Sequence, residues 1–195
     1  LATADASARP AVRMVLLKGV EADGFVFFTN YGSRKAQDLE QNPQAALCFH
    51  WPSLGVQVRV EGAVRRESAS GSDVYFQSRP RGSQLSAWAS QQSTAMAGRE
   101  TLLQSYAAVC ERFGEGPVPR PDFWGGYRLS PKRIEFWASQ PYRLHDRLLY
   151  LRSDGGWETT RLFPLAARSA ARSAQFGVGL ACRPAYDARR VGLAA

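Results

Sequence analysis

The sequence predicts a mainly β protein, a small barrel or sandwich with a few helices at its periphery. Short apolar or alternating segments recur at 11–18, 24–30, 44–51 and 56–65, with a later pair at 134–137 and 148–151. Few helical patterns stand between them, which disfavours the strict β–α alternation of a doubly wound sheet. At 195 residues, 45% of them hydrophobic and 11% aromatic, the chain can bury a core without metals or disulfides.

In chain order, AVRMVLLK at 11–18 reads as a strand that closes on a lysine, and GFVFFTN at 24–30 as the next, with Asp23-Gly24 as a hairpin signal between them. Ser33 is placed to cap a helix over 34–41. Asn42-Pro43 ends that helix, because a residue before proline avoids the helical region. QAALCFHW at 44–51 and VQVRVEGAVR at 56–65 are two further strands; in the second, Val56, Val58 and Val60 share one face and Gln57 and Arg59 the other. A helix is predicted over about 70–78, closing at Arg79-Pro80. A clearer one covers about 97–113, with Leu102, Leu103, Tyr106, Val109, Cys110 and Phe113 on one apolar face. EGPVPRPDFWGG at 115–126 reads as an irregular Pro/Gly connector. IEFW at 134–137 and LLYL at 148–151 form a late strand pair, and Trp157 and Leu162 mark a last short strand. Beyond Pro164 an Ala/Arg/Ser run begins, so the organisation expected is one domain over 1–164 with an appendage over 165–195.

Composition narrows the function classes. No apolar run reaches the length of a membrane span. Cys48, Cys110 and Cys182 lie far apart without a CxxC pair, which suits a reducing, cytoplasmic setting and gives neither a disulfide framework nor a zinc knuckle. With only His50 and His145, a histidine metal site has little material, and no metal is expected; His50 reads as structural. The motifs of nucleophile-elbow hydrolases, P-loop enzymes and dinucleotide folds are absent. The net charge of +8 fits three readings: a basic surface and tail, a nucleic-acid binder, or a pocket for a phosphorylated ligand. The positions of the arginines, not their number, separate these.

Three clusters carry candidate chemistry. In Arg143-Leu144-His145-Asp146-Arg147 a strand would set residues 143, 145 and 147 on one face, an array of donors for an anionic or heteroaromatic ligand; a solvated loop is the plainer alternative. Asn30-Tyr31-Gly32-Ser33-Arg34-Lys35 puts a hydroxyl and two cations at a helix start, where free N–H groups also favour a phosphate. Tyr75 and Arg79 fit one helical face, with Ser83 beyond Pro80 and so outside that spacing rule. Lys18 closes an apolar stretch. Two separate cationic groups suggest two phosphates.

Taken together, these segments resemble the pyridoxine/pyridoxamine 5′-phosphate oxidases, of the FMN-binding split-barrel superfamily. The resemblance covers about 1–164 and rests on strings in the family's order: RMVLLK at 13–18, FFTNYGSRK at 27–35, NP at 42–43, YFQSRPRGSQLSAWASQQS at 75–93, PVPRPDFWGGYRLSP at 117–131, and IEFW with RLHDR within 134–147. It implies a split β-barrel homodimer with FMN in clefts at the subunit interface. Arg13, Arg34, Lys35 and Ser93 would hold the FMN phosphate, with Gln92 beside it; Phe28 and Thr29 would line the cofactor, and Gln57, Trp137 and Arg147 would contact or position the flavin. Lys18, Tyr75, Arg79 and Ser83 would take the substrate phosphate, while Arg143 and His145, the catalytic candidates, would hold the pyridine ring. The implied reaction oxidises C4′ of pyridoxine or pyridoxamine 5′-phosphate to give pyridoxal 5′-phosphate. Hydride passes to flavin N5, dioxygen is reduced to hydrogen peroxide, and ammonia is released from the amine. Neither nucleic acid nor a membrane is an expected partner.

The sequence also departs from the family pattern. Val56 stands where an arginine usually precedes Gln57, and residues 138–141 read Ala-Ser-Gln-Pro where a Gln-Gly pair is common. The family's N-terminal helical segment is expected to be missing ahead of Leu1, and 165–195 has no family counterpart. The alternatives are a split-barrel flavin oxidase for another heteroaromatic substrate, such as a phenazine precursor, and a non-catalytic FMN- or pyridoxal-phosphate-binding protein. The first should lack the substrate-phosphate residues, all of which are present.

Overall fold

The computed structural model describes residues 1–164; the expected appendage at 165–195 lies outside the described residues. The chain folds as mostly antiparallel β structure with four α-helices. It divides into two compact units, one of Leu1–Leu47 with Glu61–Pro131, the other of Cys48–Val60 with the described residues from Lys132. The strands are β1 (Ala2–Ala4), β2 (Pro10–Val12), β3 (Gly19–Glu21), β4 (Gly24–Asn30), β5 (Gln44–Trp51), β6 (Val56–Arg66), β7 (Trp124–Ala138), β8 (Asp146–Ser153) and β9 (Gly156–Arg161). The helices are α1 (Arg34–Gln41), α2 (Ala69–Ser78), α3 (Arg81–Ala89) and α4 (Arg99–Phe113). Strand order is β2-β1-β5-β6-β7-β4-β3, with β8 on β7 and β9 on β8.

In the first unit β4 is the buried centre. Its apolar run pairs antiparallel with β7, from Phe25 opposite Leu129 to Asn30 opposite Trp124. The hairpin β3–β4 turns at Ala22-Asp23, as Asp23-Gly24 suggested. Gly24 has φ +152°, and a Cβ there would lie 2.3 Å from the Leu129 carbonyl oxygen, so only glycine fits. Arg128 of β7 locks this corner. Its Nη1 donates to Glu21 at 2.7 Å and also to Asp23, and its Nε donates to Glu67 at 2.9 Å. Phe76, Leu85, Ala87, Val118 and Trp124 form a core cluster. In the second unit, Val56, Val58 and Val60 are buried, as the alternation in β6 requires, and β8–β9 is a hairpin carried by the later half of β7.

Several expectations are corrected. The strand expected over 11–18 is ladder-paired only at Pro10–Val12, residues 13–18 carry no regular element, and Val12, Met14 and Leu16 are 82%, 93% and 71% exposed. Its apolar residues therefore do not mark a buried strand. Ser33 precedes α1 but makes no capping bond, because its hydroxyl donates to the Asn30 carbonyl at 2.7 Å. α3 was not foreseen. Arg79-Pro80 signals a helix stop, yet a proline is equally suited to a helix start, and α3 follows it directly. The connector expected over 115–126 ends at Phe123, and β7 is 15 residues long. It passes Pro131 between the end of its pairing with β4, at Leu129, and the start of its pairing with β8, at Arg133. The apolar face of α4 is only half realised: none of its residues is buried, and Leu103 is 46% exposed. His50 is exposed on β5.

Gly24→Ala should lower stability by roughly 3 kcal/mol, because strain at positive φ and a backbone clash act together. A drop in the urea midpoint at unchanged slope is the expected result.

Candidate active site

The first unit contains a cleft of about 670 Å³. Lys18, Tyr75, Arg79 and Ser83, the four residues expected around one phosphate, all line it. The reason lies in local structure. Tyr75 stands in the last turns of α2, Arg79 is the extended residue that closes α2, and Ser83 stands in the first turn of α3, its N–H bonded to Pro80 O at 2.8 Å. The unforeseen helix is what returns Ser83 to the site. The floor is aromatic: the Phe28 ring stacks on Tyr75 at 4.0 Å and on Trp124 at 5.5 Å. The Arg79 guanidinium lies 4.6 Å from the Trp124 ring centroid and Lys18 Nζ 5.6 Å from that of Tyr75, so both cations rest on π faces. Burial pushes the Arg79 guanidinium below its ordinary pKa. Its Nη1 is buried and has no hydrogen-bond partner among the described residues. A buried, unpaired guanidinium N–H is costly, and an oxyanion would satisfy it.

A second cationic group is built on β4 and α1. Lys35 is buried, and its Nζ donates to Thr29 Oγ1 at 3.0 Å, Ser33 Oγ at 3.1 Å and Gln92 Oε1 at 3.1 Å. All three partners are neutral oxygens, and no carboxylate pairs with Lys35 among the described residues. Burial, then the nearby Arg13 charge, pushes its pKa down to about 8. Arg13 donates to Thr3 Oγ1 at 2.6 Å and lies 3.6 Å from Asp38, and its own pKa is lowered by burial and by Arg34. Arg34 is exposed at the start of α1. Thr29 and Gln92 also line the cleft, and Thr29 Oγ1 donates to Gln92 Oε1 at 3.0 Å. Ser93 follows in an exposed turn at φ +73°. Arg13, Arg34 and Lys35 thus share one neighbourhood, with Asp38 as the carboxylate paired there among the described residues, an arrangement that suits a phosphate.

Gln57, Trp137, Arg143, His145 and Arg147 belong to the second unit. The expected strand face of 143, 145 and 147 does not form. Pro141–Arg143 is a 3₁₀ turn with Tyr142 and Arg143 at φ +57° and +62°, and β8 begins only at Asp146. The proline and these two positive-φ residues break the alternation. Arg143 is exposed. The His145 ring packs on Trp137 at 4.6 Å, and its Nδ1 accepts from Gln140 N–H at 3.2 Å. Arg147 donates from Nε to Glu135 at 2.8 Å and from Nη1 to Phe163 O at 3.0 Å. Glu135, with Arg59 donating to it at 2.7 Å, was not singled out from the sequence. The available signal was a lone acid inside the apolar string Ile-Glu-Phe-Trp, on the face that Trp137 shares.

Comparison with known proteins now decides the family. A family profile described as pyridoxamine 5′-phosphate oxidase matches residues 1–111, and one described as the pyridoxine 5′-phosphate oxidase C-terminal dimerisation region matches 124–164. The chain belongs to the pyridoxamine 5′-phosphate oxidase family. Among its relatives, a pyridoxine/pyridoxamine 5′-phosphate oxidase of Rubrobacter xylanophilus is 56% identical over 84% of this chain and 76% of its own. One of Anaeromyxobacter dehalogenans is 56% identical over 84% and 83%. Among solved structures, PhzG from Burkholderia lata 383, in complex with tetrahydrophenazine-1-carboxylic acid, superposes with a TM-score of 0.79 at 32% identity, covering 84% of this chain and 80% of that one. A pyridoxamine 5′-phosphate oxidase-related, FMN-binding protein of Nostoc punctiforme gives 0.67 at 20% identity, over 83% and 84%, and supports the split-barrel fold. The family's split barrel is the fold of this chain. Among the described residues, no helix is long and apolar enough to cross a membrane, and no group of three His, Cys, Asp or Glu is placed to hold a metal ion.

Lys35 gives the oxidase a pH signature. Charged lysine binds an anion and neutral lysine does not, so with a free-state pKa of about 8 anion affinity should fall about tenfold from pH 7 to pH 9. Calorimetric titration with sulfate, whose charge is constant over that range, checks this; Lys35→Met should bind weakly at both pH values.

Proposed function

We propose that this chain is an FMN-dependent oxidase that converts pyridoxine 5′-phosphate and pyridoxamine 5′-phosphate to pyridoxal 5′-phosphate, acting as a homodimer. The carrying observation is the presence of two cationic groups in one unit, Lys18 with Arg79 along the cleft and Arg13 with Arg34 and Lys35 at α1. A flavin mononucleotide and a phosphorylated substrate bring two phosphates, and each cation group suits one. The match to a dimerisation region over 124–164 supports the two-chain assembly.

The FMN fits the second group on chemical grounds. Lys35, held by neutral oxygens and lacking a carboxylate, gains most from a dianion, and Arg13 and Arg34 add charge. Gln92 and Ser93 stand beside it, and the segment Phe28-Thr29 borders the cofactor. Bound FMN supplies the hydride acceptor, with dioxygen as the final oxidant and hydrogen peroxide as its product. The protein's part is orientation. Arg79, Lys18, Tyr75 and Ser83 anchor the substrate phosphate, and that remote anchor holds the pyridine ring in one place. Arg143 and His145 act on the ring itself; His145, with Nδ1 occupied by the Gln140 N–H, offers Nε2 as a donor. Gln57 and Trp137 flank the flavin, and Arg147 provides a cation for the anionic reduced ring. Val56 and residues 138–141 leave this polar set intact.

A second reading follows from the likeness to PhzG: oxidation of a different heteroaromatic substrate on the same fold. The purified protein separates the two. A flavin absorption band, turnover of pyridoxine 5′-phosphate and stoichiometric peroxide support the proposed reaction. A flavin band with no turnover of either phosphate ester would exclude it in favour of the second reading or of a binding protein. Arg79→Ala should raise KM for pyridoxine 5′-phosphate about 10- to 100-fold, the worth of a charge-assisted hydrogen bond, while leaving FMN retention unchanged. Equal loss of both would contradict the division into two phosphate sites.

A further inference from the structure

The second unit contains a buried acid that none of the assigned roles uses. Glu135, 2% exposed, sits in β7 between Ile134 and Phe136. Three guanidinium groups surround it: Arg59 Nη2 at 2.7 Å, Arg147 Nε at 2.8 Å and Arg133 Nη2 at 3.8 Å. Sheet geometry explains the convergence. Trp137 pairs directly with Arg147, which makes Glu135 the diagonal neighbour of Arg147 on the same face. Arg59 reaches Glu135 from β6, and Gln57, two residues earlier, shares the Arg59 face. One sheet face thus carries Gln57, Trp137 and Arg147, with His145 packed on Trp137, and Glu135 lies at its centre.

Arg147 is fixed on two sides. Its Nε donates to Glu135 and its Nη1 to the Phe163 carbonyl, which leaves Nη2 as the terminal amine without a partner among the described residues. A side chain with this many rotatable bonds loses considerable entropy when ordered, and here that ordering is complete before any ligand arrives.

We propose that Glu135 is a positioning residue for the flavin: by holding Arg147 through Nε, with Arg59 as its counterweight, it aims the remaining guanidinium edge at the cofactor. This rests on the reading of the chain as an FMN enzyme. Glu135 does not touch the cofactor. It supports the residue that does, as outer ligands support inner ones at metal sites.

The sign of one measurement separates this role from a simple charge effect. As a nearby negative charge, Glu135 would disfavour the reduced anionic flavin, so Glu135→Gln would make bound FMN easier to reduce. As the holder of Arg147, its loss would withdraw a positive charge, and Glu135→Gln would make FMN harder to reduce. The experiment titrates apoprotein with FMN by flavin fluorescence and measures the reduction potential of the bound flavin, for wild type, Glu135→Gln, Arg147→Ala and the double variant. Expected are FMN binding about tenfold weaker in Glu135→Gln, a more negative potential, and no further change when Glu135→Gln is added to Arg147→Ala. A more positive potential, unchanged affinity or additive effects would each overturn the proposal. Should Glu135→Gln fail to fold, Arg147→Lys keeps the cation but removes the Nε–H that Glu135 holds. It should then lose as much FMN affinity as Arg147→Ala, and wild-type affinity in Arg147→Lys would sink the idea. Absence of FMN binding by the wild type is a separate result that overturns the cofactor reading itself.

Discussion

The antiparallel register of β4 against β7 is the constraint on which the first unit depends. Placing Phe28 opposite Gly126 brings ring and backbone so close that a Cβ on Gly126 would lie 2.9 Å from the Phe28 ring. That missing side chain makes room for the ring, and Tyr75 and Trp124 then stack on it. The next residue, Thr29, turns its hydroxyl to Lys35 and Gln92. Alternation along one strand therefore builds two things at once, an aromatic floor from Phe28 and a polar seat for an ammonium from Thr29. A slip of one residue would exchange them and lose both.

The two cationic groups differ in how their charge is tolerated. Arg79 and Lys18 rest against aromatic faces, where a cation keeps part of its solvation through the ring quadrupole. Lys35 is held by three neutral oxygens, and burial lowers its pKa as it does that of Arg79. Arg147 is paired with a carboxylate and shifted up. A dianion gains where positive charge is in excess, and Arg147, one of three guanidinium groups around the single Glu135 carboxylate, keeps a net positive surrounding while that pair fixes its direction.

Much of this was legible in the sequence, for identifiable reasons. Alternation in β6 and the proline stop after α1 are local signals, and both elements form within a residue of expectation. The long strings supplied the site residues, seven of which line the cleft. What escaped was non-local or ambiguous. Pro80 ends one helix and precedes another, and the residues themselves do not say which role prevails until α3 packs Leu85 and Ala87 into the core. The apolar residues at 12–16 alternate like a strand yet stand exposed, because nothing in a single chain's periodicity distinguishes a face that packs inward from one left open. At 143–147 the alternation was real in sequence but overridden by a turn with two positive-φ residues.

That override changes what the RLHDR segment can do. A strand would have presented Arg143, His145 and Arg147 as one rigid row. In the structure only Arg147 is strand-borne and ion-paired, His145 is fixed by Trp137 and by the Gln140 N–H, and Arg143 projects exposed from the turn. The contacts that hold each side chain therefore diminish along the series from 147 to 143. A cofactor that stays bound through many turnovers is served by the fixed end, and a substrate that must enter and leave is served by the exposed one. The proposed division of this motif between flavin and substrate accords with where the strand begins: Asp146 is the first residue of β8, and what precedes it has no ladder to hold it.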